Sequence, residues 1–140
     1  MTKYKFLSHT ADVKFQAFGK SIDKAFENAF YALKETICEK IKVKSVISKR
    51  IRIQGNDLNS LLYDFLEEFL FLLDSERFLL SKINNIQIDE KKFILNAEVF
   101  GDKANNYKFS NSVKAITYNE MFVRFDSKNK EWKVQVVLDV

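Results

Sequence analysis

The chain has 140 residues, 46% of them hydrophobic and 30% charged, with 23 basic and 19 acidic side chains and a formal net charge of +4. This balance points to one soluble domain, residues 1–140, with a sizeable core, and the charge is too mild to announce a nucleic-acid binder. Proline is absent, glycine occurs only at Gly19, Gly55 and Gly101, and Cys38 stands alone. A flexible linker, a low-complexity tail and an intramolecular disulfide are thereby excluded.

Residues 4–7 and 13–18 read as extended, Val13, Phe15 and Ala17 alternating with Lys14, Gln16 and Phe18. Gly19 and Lys20 turn the chain, and Ser21 is a helix N-cap. Ile22, Phe26, Ala29, Phe30, Leu33 and Ile37 then recur at helical spacing, which predicts an amphipathic helix. Residues 42–54 return to period two and supply one or two strands. In that stretch Lys40, Lys42, Lys44, Lys49, Arg50 and Arg52 alternate with Ile41, Val43, Ile51 and Ile53, the pattern of a wet strand face. Gly55-Asn56-Asp57 is a turn able to cap a second helix, whose broad apolar face runs from Leu58 to Leu73. Strand segments near residues 78–88, 93–100, 113–125 and 132–140 complete the chain. The order predicts an α+β fold, a mostly antiparallel sheet with the two helices packed on one face.

Few residues carry chemistry by themselves. No nucleophile elbow accompanies His9, and the glycines are too scattered for a phosphate loop. One Cys and one His exclude a Cys/His zinc site. Oxygen ligands remain at the two ends: Asp12, Asp139 and the carboxylate of Val140. Should they converge, a hard divalent cation (calcium, magnesium or manganese) would suit an all-oxygen set. The bland alternatives are a turn aspartate, a solvated end, and a His9 that fixes its loop by hydrogen bonding. Met1-Thr2-Lys3-Tyr4 has no signal-peptide pattern, and residues 58–73, interrupted by Asp64, Glu67 and Glu68, are too short to span a bilayer. A cytoplasmic protein without membrane contact is expected.

Five blocks resemble the archease family along nearly the whole chain. They are Tyr4-Lys5-Phe6-Leu7-Ser8-His9-Thr10-Ala11-Asp12-Val13; Ala17-Phe18-Gly19 with Ile22, Phe26, Ala29 and Phe30; the leucine-rich stretch from Asp57 to Leu73; Val113-Lys114-Ala115-Ile116-Thr117-Tyr118; and Val136-Val137-Leu138-Asp139-Val140. The resemblance implies a non-catalytic accessory protein of RtcB-type RNA ligases, the GTP- and metal-dependent enzymes of tRNA splicing and RNA repair. It implies promotion of guanylylation of the ligase's active-site histidine, and contact with tRNA and GTP only through the ligase. It places the metal site at Asp12, Asp139 and Val140, and marks Lys114 as a functional residue, with His9 beside the site. The chain departs from the family pattern at Lys14, where glycine is usual, and at Asn119, where histidine is usual. Residues 108–112 also lack a histidine often found there. Lys14 is expected on the strand face opposite Val13, exposed to solvent. Two other readings compete: an RNA-binding or chaperone-like module using the Lys40–Arg52 face, and a metal-dependent hydrolase, which lacks an evident base or nucleophile beyond the same carboxylates.

Overall fold

Two polar side chains set where the helices begin. Ser21 is extended and its hydroxyl accepts from Lys24 N at 3.1 Å, capping α1 (Ile22–Cys38). Asp57 accepts from Ser60 N at 2.7 Å, and the Ser60 hydroxyl accepts from Asp57 N at 3.1 Å, a reciprocal cap for α2 (Leu58–Glu76). Both caps stand where the spacing predicts them. The computed structural model describes residues 2–140; Met1 lies outside the described residues.

The strands are β1 (Tyr4–Leu7), β2 (Val13–Gly19), β3 (Ile47–Gln54), β4 (Phe78–Asp89), β5 (Ile94–Lys103), β6 (Ala115–Asp126) and β7 (Glu131–Asp139). The α+β class and the antiparallel pairing agree with the pattern, but the strands divide between two sheets. One has the order β1-β2-β7-β6 and the other β3-β5-β4. Each helix touches strands of both sheets: α1 packs on β2, β7 and β4, and α2 on β6, β4 and β3. That double cover explains the breadth of their apolar faces, because a helix under one sheet needs only a narrow stripe. Where the helices meet, Phe30 stacks edge-on against Phe69 with ring centroids 4.9 Å apart, and Phe26 lies 5.9 Å from Phe65. All four rings are buried, each contributing about 1.5–3 kcal/mol of transfer free energy.

The predicted strand at residues 42–54 starts later than the alternation suggests, at Ile47. Before it, the Lys44 N–H donates to the Tyr107 hydroxyl at 2.9 Å, so a side chain takes the donor that a ladder would use. Within β3 the alternation holds, with Ile51 and Ile53 buried and Arg50 and Arg52 exposed. In the other sheet β7 is an interior strand, with Val13 paired to Leu138 on one side and Ala115 to Asp139 on the other.

Gly19 is expected to turn the chain, yet its φ is not positive. Its role is space: an added Cβ would stand 2.4 Å from Ala25 N and 2.7 Å from Lys24 C, where β2 meets the first turn of α1. Gly19→Ala should therefore destabilise the protein by about 1–3 kcal/mol, the range for overpacking. Urea unfolding would show this as a lowered midpoint with an unchanged slope.

Candidate functional site

The antiparallel register brings residues from the two ends of the chain to one end of a sheet. Val13 faces Leu138, so Asp12 and Asp139 are the next residues outward on neighbouring strands. On the far side of β7, Lys114 N donates to Asp139 O at 2.7 Å, extending the β6 pairing by one residue. Asp12 and Lys114 immediately precede β2 and β6, the two strands that flank β7, and Asp139 ends β7 with Val140 next to it. Asp139 and Lys114 are exposed and Asp12 is half-buried. Main-chain ladders set these positions, so they do not depend on the flexible side chains themselves.

The loop that delivers Asp12 is held from above. His9 Nε2 lies 2.8 Å from Glu120 Oε2, and Lys14 Nζ lies 3.1 Å from Glu120 Oε1. Lys14 belongs to β2 and Glu120 to β6, so this clasp crosses β7 from one neighbour to the other. Both turns that it joins carry left-handed backbone at non-glycine residues, Ala11 at φ 64° and Glu120 at φ 54°. Such conformations cost on the order of 1 kcal/mol each and persist where surrounding contacts enforce them. Glu120 sits in a β6 irregularity between Thr117 and Phe122, and its carbonyl accepts from Gln135 Nε2 at 2.8 Å. Gln135 accepts in turn from Gln16 at 2.8 Å, which ties β2, β7 and β6 together through side chains. The hydrogen bond from His9, and then that from Lys14, holds the Glu120 carboxyl below the ordinary glutamate value.

One atom in this arrangement is left over. Glu120 accepts, so His9 Nε2 donates, and in the neutral ring Nδ1 then carries a lone pair. His9 Nδ1 is buried without a hydrogen-bond partner and faces Asp12 Oδ2 at 3.8 Å. A proton on Nδ1 or a cation beside the pair would each satisfy both groups. Asp139 and Val140 follow Leu138, the partner of Val13, and oxygen donors of this type are those a hard divalent cation takes. Among the described residues, no three His, Cys, Asp or Glu side chains form a metal-holding group; the two aspartates and a main-chain group are a different set.

Glu120, Gln16 and Gln135 are the site residues that sequence reasoning passes over. The available signal was polar glutamine on opposed strands otherwise rich in buried residues. Lys14 does lie on the strand face opposite Val13, but its side chain is only 17% exposed because Glu120 covers it. Asn119, the position of the expected histidine, is exposed. The basic stretch 40–52 leads into β3 of the other sheet, where Lys49 pairs with Glu76 at 2.6 Å and lies over the Phe78 ring. No helix among the described residues is long and apolar enough to cross a membrane.

A family model described as the archease protein family matches residues 4–140. A protein archease of Sulfurisphaera tokodaii is 36% identical, with all of both chains covered. One of Methanosarcina barkeri is 33% identical over 99% of this chain and 96% of its own. The solution structure of Methanobacterium thermoautotrophicum protein 1598 superposes with a TM-score of 0.83 at 33% identity, covering 100% of each chain.

Because the folded carboxyl value of Glu120 is lowered, the clasp contributes above the ordinary glutamate range and is lost as pH falls through the lowered value. At neutral pH, Glu120→Ala should quicken hydrogen exchange at amides 8–12 while the thermal midpoint hardly moves. Native exchange rates in the variant would count against the clasp.

Proposed function

This chain belongs to the archease family, and on that premise we propose that it is a metal-binding activator of an RtcB-type RNA ligase of tRNA splicing or RNA repair. In this reading it acts in the cytoplasm, performs no turnover of its own, and promotes guanylylation of the ligase's active-site histidine. The observation that supports the reading is that the residues leading into β2 and β6, Asp12 and Lys114, flank the end of β7 that carries Asp139.

Asp12, Asp139 and the main-chain oxygens of Val140 are the groups that hold a calcium, magnesium or manganese ion. When bound, the ion supplies Lewis acidity and screens phosphate charge. The chain's own residues do the rest. The β2–β7 ladder sets the backbone next to the two aspartates, and the Glu120 clasp holds the Asp12 loop. His9 presents an unpartnered nitrogen toward Asp12 and stays a supporting residue. Lys114 extends from the same end into a groove of about 260 Å³ lined by Tyr63, Glu67, Phe71 and Asp74. Phe71 is 57% exposed, and Tyr118, 53% exposed, stacks on Tyr63 at 4.3 Å. Exposed aromatics beside a free ammonium are the kind of anchor that protein interfaces use. Lys114 in this reading touches the ligase, and RNA and GTP are met only through that partner.

Single-turnover guanylylation of a cognate ligase with GTP and Mn²⁺ tests the proposal. The native protein should accelerate the step, and Asp12→Ala or Asp139→Asn should lower the acceleration on the order of tenfold or more, as expected for loss of a ligand. Lys114→Ala should raise the concentration needed for half-maximal stimulation. Full stimulation by Asp12→Ala would refute the metal-site reading.

A further inference from the structure

Lys14 places a full positive charge two residues from Asp12, on the same side of its strand. A free ammonium there would draw the carboxylates into an ion pair or repel an incoming cation. It does neither, because Lys14 Nζ is turned to Glu120 Oε1 at 3.1 Å. The same carboxylate accepts a hydrogen bond from His9 Nε2 at 2.8 Å, and His9 Nδ1 faces Asp12 at 3.8 Å. Glu120 reaches both partners because the β6 irregularity departs from the regular ladder there, and the Gln16–Gln135 pair anchors its carbonyl.

We propose that Glu120 is a positioning residue for the cation site: it cancels the charge of Lys14 and orients His9, so that the end of the sheet accepts a divalent ion. This rests on the metal-site reading and assigns a role to a residue outside the ligand set. The charged and titratable neighbours that bear on it are His9, Asp12, Lys14, Lys114 and Asp139. Of the two lysines, whose charges oppose metal binding, Lys14 is the one with which Glu120 pairs. Lys14 and Glu120 therefore act as a coupled pair, and loss of one member is harmful in a way that loss of both is not.

Four proteins separate charge from structure: native, Glu120→Gln, Lys14→Met and the double variant. Glutamine keeps the size of Glu120 and an oxygen for His9 while removing the negative charge. Binding of Mn²⁺ and Ca²⁺ is measured by calorimetry near physiological salt, with thermal midpoints of the cation-free proteins alongside. Glu120→Gln should weaken binding on the order of three- to tenfold, the scale of one uncompensated charge in a partly solvated site. Adding Lys14→Met should restore the native affinity, and Lys14→Met alone should bind at least as tightly as the native protein. Native affinity in Glu120→Gln, or a weakening that Lys14→Met does not reverse, would overturn the proposal. A native protein that binds neither cation would bring down the metal-site reading itself, and this one with it.

Discussion

The arrangement depends on β7 lying inside its sheet. It exchanges main-chain hydrogen bonds with β2 on one side and β6 on the other, and Val134, Val136 and Leu138 bury one face against the helices. Both edges and one face are thus committed, and a slip of one residue would turn those three side chains out of the core. Register is therefore held by hydrophobic burial far from the chemistry. Asp139 inherits its place from that burial, and Asp12 and Lys114 inherit theirs from pairing with β7.

This division of labour lets the site be locally strained. Ala11 and Glu120 hold left-handed backbone, and the buried His9 nitrogen lacks a hydrogen-bond partner. Such features cost stability wherever they occur. They are tolerated because the core of Phe26, Phe30, Phe65 and Phe69 is assembled elsewhere, from both helices under both sheets. Local disagreement with the rules that govern the rest of the molecule is what a functional site is expected to show.

Much of the fold was legible in the residues. The two helices followed from apolar spacing, and their starts from Ser21 and Asp57, because caps act over only three residues. Strand positions followed from alternation. The division into two sheets was not legible, since alternation tells which side of a strand is apolar and not which strand lies beside it. At the site, the family resemblance singled out Asp12, Asp139 and Lys114, which stand at one end of the strands β2, β7 and β6. His9 was legible as a loop-fixing residue, but its partner Glu120 lies 111 positions away. Glu120 itself gave no local signal: the turn that presents it lacks glycine, and a glutamate within a strand ordinarily points to water. The covering of Lys14 was hidden for the same reason.

The order of strands also bears on how the molecule comes into being on the ribosome. The gap between β2 and β6 is filled by a strand synthesised after both. Until β7 emerges, the growing chain presents open edges on β2 and β6 beside exposed valines and phenylalanines, the kind of surface that invites mispairing. The carboxylate of Asp12 is likewise made long before that of Asp139 and meets it only once β7 has inserted. On the proposed reading, the two aspartates come together only when the sheet is completed.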